Sequence, residues 1–139
     1  MTVLEQLGAH VARGGAAQPR GALRLRVADT VGAWIAGSAT PEGRALLKFG
    51  ANRDAMPDRV AAHCALARLS EIDDIHLVSA TTPGALVVPA ALTIAASMDR
   101  KGAALAEAIA VGYDAMVRLG AAIGGPSIQI GRASCRERV

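Results

Sequence analysis

Apolar residues recur at intervals of three and four along one stretch of the chain after another, and no pair of alternating runs joined by turn residues interrupts them. That spacing gathers them on one side of a helix, so a chain built this way buries itself helix against helix. Thr2 to Arg13 carries Val3, Leu4, Leu7 and Val11 in this pattern, and Gly14-Gly15 with Pro19 ends it. Arg20 to Ile35 follows with a stripe of Leu23, Val27, Val31 and Trp34, closed by Gly37-Ser38. Thr40-Pro41-Glu42 reads as an N-cap with proline in the first turn, opening a short helix to Phe49. After a loop from Asn52 to Pro57, a fourth helix is predicted from Pro57 to about Glu71, through Val60, Cys64 and Ala67. Pro83 to Met98 reads as a buried helix that Thr82 can cap, with Pro89 near its true start or kinking it. Lys101 to Ile123 sets Leu105, Ile109, Tyr113, Val117 and Leu119 against Glu107, Asp114 and Arg118. The expectation is an all-α fold, a partial bundle of about six helices.

Composition supports that fold and narrows the function. The chain has 139 residues, enough for one domain with a core but not two. Hydrophobic residues make up 52%, which argues against disorder. Aromatics are 2%, with single Trp34, Tyr113 and Phe49, so the core must be built from small aliphatic side chains and few rings are left for base stacking.

The last ten residues, Ile130 to Val139, match neither the composition nor the periodicity of what precedes them. They look like a translated sequencing adapter joined to a gene fragment, with a genuine basic tail as the alternative. We therefore read 1–129 as the domain and 130–139 as a non-native tail. The tail carries Arg132, Arg136 and Arg138 against Glu137, so most of the formal charge of +3 leaves with it. No basic stripe remains, and nucleic acid is not an expected partner.

The beginning of the chain lacks a basic region followed by an apolar run, and the apolar stretch from Gly84 to Met98 is too short for a bilayer and is broken by Pro89. No membrane partner is expected, and a cytoplasmic location is the default. Cys64 falls among Ala and Leu as a small core residue, and Cys135 lies in the tail, so no disulfide framework is indicated. His10 and His63 fall on helices and read as structural, and Gly124-Gly125-Pro126 reads as a loop, without the strand and lysine of a phosphate cradle.

Chemistry concentrates between Ser70 and Gly84. Glu71, Asp73, Asp74 and His76 fall within six positions. If the fourth helix runs on, Glu71 and Asp74 share a face, and crowding would raise one carboxyl towards neutrality. The same residues read as a helix end, with Asp73 and Asp74 capping a turn and His76 bonded to a carbonyl. A metal site is a third reading, although the cluster is contiguous and no second group of ligands follows it. Thr81-Thr82-Pro83-Gly84 serves as a helix cap, or as hydroxyls and free N–H groups that hold a carboxylate; the two are compatible.

The segment resembles the MmgE/PrpD family, which includes 2-methylcitrate dehydratases and cis-aconitate decarboxylases. The resemblance rests on Glu71-Ile72-Asp73-Asp74-Ile75-His76, then Thr82-Pro83-Gly84 and Val87-Val88-Pro89-Ala90-Ala91-Leu92. Ala110 to Gly120, with Gly112-Tyr113-Asp114, and Arg26 to Gly37, with Asp29-Thr30-Val31-Gly32, extend it over most of the chain. Glu71 stands where the dehydratase and decarboxylase members usually have an aspartate. Thr82 stands where a histidine usually precedes the proline, and Arg68 where another histidine often falls.

The resemblance implies a helical domain completed by a smaller lid, with the active site between them, in a homodimer. It implies cofactor-independent elimination, decarboxylation or epimerisation of small polycarboxylates, with no metal. Glu71, Asp73, Asp74 and His76 would then be catalytic, and Ser79, Thr81 and Thr82 would bind substrate. On this reading the chain is an N-terminal fragment of a lyase, inactive alone and with core-facing Leu and Val surfaces exposed. An epimerase or isomerase of the same family is the alternative, and a non-catalytic helical assembly module is the alternative of a different class.

Overall fold

A computed structural model describes residues 1–14, 20–50, 54–100 and 102–123. Gly15, Pro19, Asn52, Lys101, Gly124-Gly125-Pro126 and the tail with Cys135 lie outside the described residues. Six helices follow in order: α1 (Val3–Arg13), α2 (Arg20–Ser38), α3 (Pro41–Gly50), α4 (Met56–Arg68), α5 (Pro83–Ser97) and α6 (Ala103–Ala122). Among the described residues the one piece of extended pairing is an isolated antiparallel bridge between His76 and Thr81. The fold is all-α, as the spacing predicts.

Helix α5 lies against α2, α4 and α6, and it is the most apolar of the six helices. Pro83, Gly84, Ala85, Val88, Pro89, Thr93 and Ala95 are all buried along it. Leu23 of α2, Val88 of α5, and Ile109 and Tyr113 of α6 form the core cluster, with Val27, Val87 and Leu105 packed on it. Small side chains let the helices approach closely where rings would hold them apart. Gly37 shows this best: a Cβ there would run into the Leu66 carbonyl of α4.

Local signals fix several helix starts. Thr2 and Glu5 form a reciprocal capping box at α1, with the Glu5 N–H donating to the Thr2 hydroxyl at 3.2 Å. The Gly43 N–H donates to Thr40 Oγ1 at 2.9 Å, the expected cap of α3. Two expectations fail. Helix α4 ends at Arg68, three positions before Glu71, so Glu71 and Asp74 share no helical face. Glu71 has a φ of +53°, outside helical geometry, while Asp73 turns back to Arg68 at the end of α4 and Asp74 reaches Arg26 on α2. Thr82 occupies the N-cap position of α5 but makes no side-chain capping bond, and the Gly84 N–H is taken instead by the Asp74 carboxylate, ten residues before Gly84. Pro89 sits well inside α5, fully buried, where its ring removes one helix hydrogen bond, and its carbonyl accepts from the Thr93 hydroxyl at 2.6 Å.

The described surface keeps much apolar area. Leu25 and Ile35 on α2 are 74% and 67% exposed, and Leu77 and Val78 in the loop before α5 are 74% and 70% exposed. No helix among the described residues is long and apolar enough to cross a membrane.

Candidate functional site

The segment between α4 and α5 is held in place by one side chain. Asp74 Oδ2 accepts from Arg26 of α2 at 3.1 Å and from the Tyr113 hydroxyl of α6 at 3.0 Å. Its other oxygen, Oδ1, accepts from the Gly84 N–H at 2.7 Å, in the first turn of α5. A partly buried negative charge at a helix N-terminus is favoured by the orphan N–H groups and the dipole there. Asp74 therefore caps α5 and ties it to α2 and α6 in one contact. Gly84 is required by this arrangement, since a Cβ would lie 2.6 Å from Thr30 Oγ1 and 2.8 Å from the Tyr113 oxygen. The Arg26 guanidinium also lies over the Tyr113 ring, 5.0 Å from its centre.

Burial pushes the Tyr113 phenol well above its ordinary range, and the Asp74 charge and hydrogen bond push it further; Arg26 and Thr30 only partly offset this. A neutral phenol is what Asp74 needs as a donor.

Asp73 turns the other way. Its side chain is fully buried, and Oδ1 accepts from Arg68 at 2.8 Å. Its second oxygen, Oδ2, and the nearby-in-sequence Ser70 hydroxyl are buried with no hydrogen bond among the described residues. Glu71 is 79% exposed and lies 3.6 Å from Arg68. The three carboxylates are thus dealt out to separate surroundings instead of being crowded on one face. The premise of a shared helical face does not hold.

Between them, residues 76–81 close a small turn. The His76 N–H donates to the Thr81 carbonyl at 2.8 Å, and Ala80 takes a φ of +51° to make the bend. Ser79 is buried, and its hydroxyl lies 2.8 Å from His76 Nδ1 and 2.7 Å from Thr81 Oγ1. The Ser79 N–H also donates to His76 Nδ1, at 3.3 Å. This turn rests on α6 at Gly120, where a Cβ would come within 2.7 Å of the Ser79 carbonyl. Thr82, half-buried, takes no part in this network.

The predicted residues therefore fall into three groups. Asp74 stands at the start of α5, and His76, Ser79 and Thr81 form one hydrogen-bonded turn beside α6. Asp73 is bound to Arg68, and Glu71 faces solvent. Arg26, Thr30, Tyr113 and Gly120 belong to the same neighbourhood, although the sequence places them only on helices and in stretches that carry the family resemblance, with no site role. Among the described residues, no three of His, Cys, Asp and Glu come together as a metal-holding group.

The remaining histidines and Cys64 are structural, as their helical positions suggest. His63 Nδ1 bonds Thr93 Oγ1 at 2.7 Å and its ring packs 4.6 Å from Trp34; burial, then Arg59, pulls its pKa down. Cys64 donates to the Leu86 carbonyl at 3.4 Å, and burial raises its thiol, which leaves it a poor nucleophile. His10 Nε2 bonds Asp114 at 2.6 Å and joins α1 to α6.

This is an all-helical domain whose chemistry-bearing loop is pinned against the N-terminus of a buried helix. The family model of the MmgE/PrpD N-terminal domain matches residues 16–133, and the chain belongs to that family. The match takes in every residue of the Asp74 network and of the turn. No curated protein and no solved structure matches the chain.

Proposed function

We propose that residues 71–82 form one wall of the active site of a dehydratase-like lyase, acting on small polycarboxylates by cofactor-independent proton abstraction. Family membership supplies the class of enzyme. The observation that carries the reading to this loop is the Asp74 contact, in which a partly buried carboxylate, a guanidinium and a phenol fix the loop against three helices at once. Rigid placement of that kind is what proton abstraction beside a carboxylate demands, because a misplacement of about 1 Å costs about a hundredfold in rate.

Within the wall the roles divide by what each side chain has left to offer. Asp73 keeps one buried oxygen unspent, and His76 keeps one ring nitrogen free of any partner among the described residues. Thr82 presents a hydroxyl beside the first turn of α5, where it would orient a substrate carboxylate. Asp74 acts by holding the loop. The facing wall and a lid come from a further part of the protein, so this chain alone is inactive, and the complete enzyme works in the cytoplasm as a homodimer. The test is to incubate the complete gene product with citrate-like and aconitate-like acids in deuterated water and follow exchange and elimination by NMR. Deuterium entering carbon next to a carboxylate supports the reading. A folded protein that exchanges no member of the panel overturns it.

A further inference from the structure

Ser79 and Thr81 are polar and lie beside His76, yet their hydroxyls are spent on the ring and on each other, with the His76 carbonyl a longer third contact of the Ser79 hydroxyl at 3.4 Å. What they decide is where the ring carries its proton. A backbone N–H can only donate, and the Ser79 N–H points at His76 Nδ1 from 3.3 Å. Nδ1 is therefore an acceptor, and the proton of the neutral ring sits on Nε2. The hydroxyls agree with this and strengthen it. With Nδ1 accepting, the Ser79 hydroxyl donates to it over 2.8 Å, and the Thr81 hydroxyl donates to Ser79 over 2.7 Å. The chain of donors runs in one direction, from Thr81 through Ser79 to the ring.

Reversing it is unfavourable. A proton on Nδ1 would face the Ser79 N–H, donor against donor, and Ser79 is buried where no water can easily relieve the clash. The backbone that presents the Ser79 N–H to the ring is itself fixed, because the turn is closed by the bridge to Thr81 and seated on Gly120. Nε2 makes no hydrogen bond among the described residues, so its N–H is the part of the ring left for a ligand.

We infer that the Thr81–Ser79–His76 chain holds His76 as a neutral Nε2–H donor for an anionic substrate oxygen, so that His76 is not the base of the reaction. Ser79 and Thr81 are then positioning residues. This rests on the lyase reading above and deepens it: the site takes a carboxylate whose charge grows as the neighbouring C–H proton leaves, and His76 donates to that oxygen without transferring its own proton. A neutral imidazole serves in this way elsewhere, as the electrophile of an isomerase. The base that removes the proton belongs to another residue.

The experiment uses the complete gene product labelled with 15N-histidine, with tricarballylate as an unreactive tricarboxylate probe. The His76 signals are identified by their loss in His76→Gln. The expected result is a protonated Nε2 and an unprotonated Nδ1 near neutral pH, with tricarballylate shifting Nε2 and its proton. In the exchange assay His76→Ala loses about a hundredfold, the scale of one lost oxyanion donor, while His76→Gln keeps most of the rate because its amide N–H replaces Nε2–H. A ring protonated on Nδ1 overturns the inference, and so does an Nε2 signal indifferent to the probe or equal losses in the two variants. A wild-type protein that catalyses no exchange sinks the lyase reading by itself, and the tautomer and the probe shift still decide the inference.

Discussion

At the scale of single residues, the site depends on an absence as much as on a charge. Gly84 leaves room for Asp74, Thr30 and Tyr113 to meet, and any side chain there would push into all three. Gly84→Ala should therefore cost about 3 kcal/mol, the upper range for overpacking a tight site. Urea unfolding checks it, and a midpoint equal to wild type would contradict the close contact. Tyr113 makes a second prediction accessible because it is the single tyrosine of the chain. Its phenol is raised above its ordinary 10.0 by burial first and by Asp74 second. A raised pKa means stability that is whole below pH 10.0 and is lost as pH climbs through the folded-state value. Ultraviolet titration should show no tyrosinate near pH 10.0 in the folded protein, and ionisation only together with unfolding. Ionisation at the ordinary value would show that the Asp74 contact is not made.

The Ser70–Gly84 stretch stood out in the sequence because three acids and an imidazole fall within six positions, but the contacts that hold it did not. Arg26 lies 48 residues from Asp74 and Tyr113 lies 39 away; both fall in stretches that carry the family resemblance, but nothing in their spacing joins them to Asp74. A contact of that kind is set by the packing of α2, α5 and α6, which no local pattern encodes.

At the scale of elements, periodicity found all six helices, while their ends were settled by chemistry that is local in some cases and tertiary in others. The cap of α3 comes from Thr40, one turn away, and was legible. The cap of α5 comes from Asp74, so Thr82 misled, and α4 stops early because Asp73 and Asp74 are claimed by Arg68 and Arg26. Helix α1 is the least embedded element: none of its residues is buried, and His10 joins it to Asp114 on α6. His10 first, and Arg118 second, hold the Asp114 carboxyl below its ordinary 3.8. The stability this contributes is present above pH 3.8 and is lost as pH falls through the lowered value. His10→Ala should release α1 while leaving the core intact, seen as faster amide exchange in α1 with α5 unchanged. Equal protection of α1 in wild type and variant would contradict this.

At the scale of the whole molecule, the described bundle is a scaffold with a small core and several exposed aliphatic side chains. Its core cluster is four residues drawn from α2, α5 and α6, the same three helices that Asp74 joins. Packing and site are therefore one structure, and damage to either is felt by the other. Leu25, Ile35, Leu77 and Val78 all lie exposed on the described surface. That surface fits a domain completed by further protein, as the proposed enzyme requires.

The most direct measurement is deuterium exchange into a tricarboxylate by the complete gene product, compared between wild type, Asp74→Ala and His76→Ala. The account predicts exchange in the wild type that falls about a hundredfold in His76→Ala and vanishes in Asp74→Ala, where the wall itself is released. Exchange that survives both substitutions in a folded protein would place the chemistry elsewhere and contradict it.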